Sequence, residues 1–100
     1  MSLDALAEAV RGRAAGGPAL DARVKFDLGT DGFIVLDGTG PAPAVSIGDA
    51  PADVTLTMKA ETLRRMVDGS LSPTMAYMTG KLKVEGKMGV ALKLTSMFAD

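Results

Sequence analysis

The stretch Met78-Thr-Gly-Lys-Leu-Lys-Val-Glu-Gly-Lys-Met-Gly-Val-Ala-Leu-Lys-Leu94 decides how this chain of 100 residues is read. Its first part alternates: Leu82 and Val84 point one way while Lys81, Lys83 and Glu85 point the other, as in a half-buried strand. From 87 to about 98 the period becomes helical. At about 100° per residue, Met88, Val90, Ala91, Leu92, Leu94, Met97 and Phe98 fill an arc much wider than the stripe of roughly 100° that one contact surface needs. Such a helix has two apolar faces to cover. A sheet accounts for one, and the other needs a ligand, a partner or neighbouring helices. Complete burial in a core is an equally open reading of this segment alone.

In and around it the methionines gather, five of the seven (Met66, Met75, Met78, Met88 and Met97) falling from residue 66 onward. Methionine is unbranched and polarisable, and it suits adaptable apolar surfaces better than Leu or Val. Leu63, Met66 and Val67 mark one side of a helix ending at Gly69, which reads as its C′ glycine. Ser72 and Pro73 then read as the cap and first turn of a short helix holding Met75, Tyr77 and Met78, with Tyr77 an amphipathic core residue.

Nearer the N-terminus, Val54-Thr-Leu-Thr-Met58 alternates, with Val54, Leu56 and Met58 on one face. Val24-Lys-Phe-Asp-Leu28 and Phe33-Ile-Val-Leu-Asp37 flank the turn residues Gly29-Thr-Asp-Gly32 and read as a hairpin. The second of these strands has no polar face, so either both its faces are covered or an apolar object sits against one. Ala44-Val-Ser-Ile47 is a third strand between two breaker-rich loops. Strands joined by loops this short predict an antiparallel meander, and the link to the Lys81 strand is expected to cross the sheet through both short helices. Leu3, Leu6, Ala7 and Val10 form one face of a first helix that stops before Gly16-Gly-Pro18.

Composition narrows the chemistry. A chain of this length makes one domain over 1–100. It has no Cys, His, Trp, Asn or Gln, so disulfides, Cys/His metal sites and imidazole acid-base catalysis are excluded. Ser70, Ser72 and Ser96 have no histidine to activate them, Asp49 and Asp53 flank a loop as turn formers, and Gly38-Thr-Gly40 runs into proline instead of opening a helix. An enzyme is not expected, and no metal or other cofactor is. The N-terminal residues include acids and do not read as a secretory signal, and no run is long enough to span a membrane. A net charge of -1 argues against nucleic acid as partner. The second half is mildly basic, with seven basic against five acidic side chains; Lys81, Lys83, Lys87 and Lys93 are candidates for an anionic head group or a membrane surface.

Three segments together carry a resemblance: the 54–58 strand, the helix with Leu63 and Met66 before Gly69, and the stretch from Met78 to Leu94. In the last, Gly80-Lys-Leu-Lys83, Gly86, Met88-Gly89 and Ala91-Leu-Lys-Leu94 fall at the spacing of the sterol carrier protein-2 sterol-binding domain family, which the chain closely resembles. Over residues 1–50 only the order of elements matches. The resemblance implies an α+β fold, a five-stranded, mostly antiparallel sheet covered by helices with an apolar lipid tunnel between them. It also implies binding of sterols, fatty acids or fatty acyl-CoA. At matching positions it places Met66, Leu71, Met75, Met78, Met88, Leu92 and Phe98 near the tunnel. Ile34 and Leu36 join them on the separate ground that their strand lacks a polar face. Some family members end in a Ser-Lys-Leu type peroxisomal address where this chain has Met97-Phe-Ala-Asp100. The expectation is therefore a compact bacterial, cytoplasmic version with a fatty acid or acyl-CoA as ligand, monomeric or weakly dimeric and in transient contact with membrane surfaces. The competing reading is an interaction module whose apolar C-terminal helix docks on another subunit or a second copy.

Overall fold

The computed structural model describes residues 2–98. Its elements run α1 (Leu3–Ala15), β1 (Arg23–Asp27), β2 (Phe33–Asp37), β3 (Ala44–Ile47), β4 (Val54–Thr57), α2 (Ala60–Val67), α3 (Pro73–Met78), β5 (Lys83–Gly86) and α4 (Met88–Met97). Ser2 opens α1 by accepting a hydrogen bond from the Ala5 amide at 3.1 Å, and the helix buries Leu6, Ala7, Val10 and Ala14 against β2, β3 and α2. This is the face read from the sequence.

The five strands form one sheet in the order β3-β2-β1-β4-β5. Three neighbouring pairs are antiparallel, but β4 lies parallel to β1 with Val24 beside Val54 and Phe26 beside Leu56. The expected meander is thus broken once, at the link 48–53. That link starts where the Gly48 amide donates to Phe33 O (3.0 Å) and ends where the Asp53 amide donates to Arg23 O (2.9 Å), at opposite ends of the β1–β2 hairpin. A chain that must return to the start of β1 delivers the next strand parallel to it. The link runs over the sheet face away from the helices, where Lys25 Nζ donates to Asp49 Oδ1 at 2.7 Å. Val35, the cross-strand neighbour of Lys25, is only 5% exposed on that face, while Ile34 and Leu36 point inward. The missing alternation in β2 therefore reflects cover on both sides.

The segment from β4 to β5 also departs from expectation. β5 is antiparallel to β4, with Thr57 beside Lys83, so α2 and α3 make an excursion that returns to the sheet end it left. Both helices close with the same hydrogen-bond pattern. After α2 the Ser70 amide donates to Arg65 O and Gly69 to Met66 O; after α3 Lys81 donates to Ala76 O and Gly80 to Tyr77 O. Gly80 takes the left-handed conformation this closure needs, with φ +77°, and Gly69 matches it at +84°. β5 ends at Gly86, φ +110°, where a Cβ would collide with the Asp53 carbonyl. The Lys87 amide donates to that carbonyl at 3.0 Å, fixing where α4 begins. A single core joins the helices to the sheet, and at its centre the Phe98 ring stands edge-on to Phe26, centroids 6.3 Å apart at 89°.

Candidate functional site

The wide apolar arc of α4 divides in two. Val90, Leu94, Met97 and, just beyond, Phe98 are buried in the core, while Met88 and Leu92 are 54% and 70% exposed. Between this second face, α3 and the β4–β5 end of the sheet lies a cleft of about 220 Å³. Leu56 and Val84 come from the inward faces of β4 and β5, Leu82 from just before β5, and Met66 of α2 lies deep within. Pro73, Thr74 and Tyr77 of α3 form one wall; Met88, Ala91, Leu92, Leu94, Thr95 and Phe98 form the other. The lining is apolar apart from the hydroxyls of Thr74, Tyr77 and Thr95, and none of these side chains is charged. Met66 and Leu94 are buried while Tyr77, Met88 and Leu92 are more than half exposed, so the cleft has a closed end and an open mouth.

Four of the nine residues placed by sequence line this cleft: Met66, Met88, Leu92 and Phe98. The other five lie elsewhere. Ile34 and Leu36 belong to β2, on the far side of β1 from β4, and are fully buried in the core beneath α1. Leu71 sits in the α2–α3 link, its amide bonded to Arg65 O at 3.1 Å, and is buried in the same core. Met75 and Met78 face outward, 52% and 74% exposed. The Ser72 cap sets the phase of α3, turning Pro73 and Ala76 inward and Thr74 and Tyr77 toward the cleft. Tyr77, read as a core residue, is instead 57% exposed at the mouth. Leu56, Leu82 and Val84 line the cleft in addition to the residues expected from sequence, and the alternation over 54–58 and 81–85 marks the face they occupy. Ala91, Leu94 and Thr95 follow from the helical period of α4 once its partner surfaces are known.

The groups whose titration is displaced lie outside the cleft. The backbone amide of Arg23, at 2.9 Å, is the chief reason that the Asp53 carboxyl sits below the usual range, and Lys87 Nζ at 3.5 Å acts in the same direction. Asp37 is lowered by hydrogen bonds from Thr39, Asp68 by those from Ser70, and Glu61 by Arg64. Of the four lysines singled out by sequence, Lys87 pairs with Asp53 and Lys93 Nζ lies 3.4 Å from Leu20 O. Lys81 and Lys83 are exposed and form no ion pair among the described residues.

The SCP-2 sterol transfer family model matches residues 2–99. Hydroxysteroid dehydrogenase-like protein 2 of Danio rerio is 42% identical over 79 residues, 75% of this chain but 19% of the relative. The chain thus spans about a fifth of the length of the curated relatives it matches. Two solved structures share the fold. The crystal structure of sterol carrier protein 2 like 2 from Aedes aegypti superposes with a TM-score of 0.77 at 22% identity, covering 95% of this chain and 94% of that one. The solution NMR structure of palmitated SCP2L2 from the same organism gives 0.78 at 19% identity, covering 100% and 96%. With the family model matching almost the whole chain, on a five-stranded sheet and helices of that fold, the protein is a member of the SCP-2 sterol transfer family.

Proposed function

We propose that this domain binds one acyl-chain lipid, a fatty acid or fatty acyl-CoA, in the cleft between α3, α4 and the β4–β5 end of the sheet, and carries it without transforming it. The observation that carries the reading is the uncharged, almost wholly apolar lining, buried at one end and open at the other. Transfer of each methylene from water is worth about 0.8 kcal/mol, so a long chain gains of order 10 kcal/mol before the entropy of association is subtracted. Dry walls suffice for that, and no reactive group is needed. The palmitated neighbour of the same fold supports the choice of an acyl chain.

At about 220 Å³ the cleft lies below the roughly 300–1,000 Å³ of pockets that enclose drug-sized ligands. A full-length chain therefore requires the flexible side chains at the mouth, Met88 and Leu92, to open. Titration of delipidated protein with a fluorescent fatty acid is expected to give one saturable site. Ala91→Phe, which places a ring in the cleft from a partly exposed helical position, lowers that affinity about tenfold or more while leaving the melting temperature in place. Absence of saturable binding to folded wild-type protein would overturn the reading.

A further inference from the structure

Seven of the eleven basic side chains bond to a carboxylate or a backbone carbonyl of the protein. The other four, Lys59, Arg65, Lys81 and Lys83, have no ion pair or side-chain hydrogen bond among the described residues, and all four line one cavity. It has a volume of about 880 Å³ and lies where β4 leaves the sheet and β5 enters it, between the 28–31 turn, the start of α2 and the 80–83 segment. It shares no lining residue with the apolar cleft. Two carboxylates border it. Glu61 is held by Arg64 at 2.6 Å, which leaves Asp31 to offset one of the four cations. Hydrogen-bond donors are left over at the same place. The amides of Ala60, Glu61 and Thr62 have no acceptor among the described residues; the first amide of α2 to find one is that of Leu63, on Lys59 O at 3.1 Å, and Lys59 supplies no side-chain cap. Thr62 is 7% exposed, and its hydroxyl has no partner among the described residues, yet it is not sealed off from the cavity it borders. A hydroxyl so nearly buried costs stability while it is unbonded, and a bound acceptor would restore the loss.

We infer that this cavity is a second binding site, for a soluble ligand that carries two linked phosphoryl groups. The free amides of α2 and the Thr62 hydroxyl donate to the phosphate oxygens, and Lys59, Arg65, Lys81 and Lys83 neutralise their charge. Unpaired amides at a helix start, combined with Lys and Arg, are the chemistry that recognises phosphate. Three cations in excess are more than one phosphoryl group, at about −2, neutralises, and this favours a diphosphate. Among the described residues, no exposed large hydrophobic side chain borders the cavity, so nothing there would anchor in a bilayer and the ligand is one free in solution. Two sources have this chemistry: a free nucleoside diphosphate, and the diphosphate of a coenzyme A thioester whose acyl chain lies in the cleft. The second source alone rests on the acyl-chain reading of the cleft; the site itself does not.

Calorimetric titration with inorganic pyrophosphate is expected to show one site, about tenfold or more tighter than for inorganic phosphate and weakening as salt rises. The double variant Lys81→Ala, Lys83→Ala lowers pyrophosphate affinity about tenfold. Arg11→Ala with Arg23→Ala removes the same charge from paired surface positions and leaves it unchanged. Thr62→Val keeps the shape of the side chain and lowers the affinity about fivefold. Melting curves establish that each variant is folded. The proposal falls if wild-type protein binds no pyrophosphate, if the lysine variant or Thr62→Val binds it like wild type, or if the arginine pair weakens it as much as the lysine pair. Adenosine diphosphate and palmitoyl-CoA separate the two sources: the lysine variant weakens palmitoyl-CoA but not palmitate if the ligand is the thioester, and adenosine diphosphate alone if it is a free nucleotide. Absence of palmitate binding with pyrophosphate binding intact would overturn the cleft reading and leave this site standing.

Discussion

Phe98 and Met88 both line the cleft, yet the protein needs them for different reasons. Phe98 is 2% exposed and closes the core edge-on to Phe26, so Phe98→Ala leaves a cavity that the helix cannot fill by small shifts. The expected cost is about 3–5 kcal/mol, a fall in melting temperature on the order of 10 °C or more for a domain of this size. Met88 is 54% exposed, and Met88→Ala is expected to leave melting nearly unchanged while weakening fatty-acid binding by a few fold. Melting curves and titrations of the two variants separate the roles; equal loss of stability in both would show that Met88 is held as firmly as Phe98. Sequence alone put both in one set because residue type and resemblance report that a position is apolar. Neither reports how deep it lies. Met75 and Met78 illustrate the same limit, since their phase on a helix of six residues depends on a cap, not on a long periodic pattern.

At the scale of elements, Asp53 links β1, β4 and the start of α4. Its carboxylate accepts from the Arg23 amide and faces Lys87, and its carbonyl accepts from the Lys87 amide. Because folding lowers the pKa of this carboxyl, its ionised form stabilises the native state above the ordinary aspartate value of about 3.9, and that contribution fades as pH falls through the native value. Asp37 and Asp68, lowered by their own hydrogen bonds, act in the same sense. Asp53→Asn is expected to melt lower than wild type near neutral pH and to lose less of its stability on acidification below about pH 4. Melting temperatures of both proteins across that range check this, and parallel curves would remove Asp53 from the acid response. Element positions were legible in the sequence wherever alternation or capping chemistry was strong: β4, the 72–73 cap and the Gly69 stop all match. Strand order was not. The parallel β1–β4 pairing is decided by the path of six residues, 48–53, whose Gly, Pro and Asp announce a loop but carry no direction. The cleft was partly legible for a related reason: the surplus apolar face of α4 was visible, whereas the surface it meets depends on which strands lie beneath it.

At the scale of the whole molecule, one apolar core spans both ends of the sheet. The link 48–53 has a further consequence, and it concerns the order in which the chain assembles. The first three strands are neighbours in sequence and in space, and their pairing closes only short loops. β4 joins the other edge of β1 across a separation of about thirty residues, Val24 beside Val54, and β5 can pair only after β4 has arrived. Non-local pairings of this kind are entropically costly until local structure is in place. The β1–β2 hairpin is therefore expected to belong to the folding nucleus, with β1 presenting an open edge until β4 closes it. In stopped-flow kinetics, Ile34→Val should chiefly slow folding, and Val84→Ala should chiefly hasten unfolding; the reverse pattern would place the nucleus in the second half. On this order of events the cleft, bounded by β4, β5 and α4, is the last part of the protein to form.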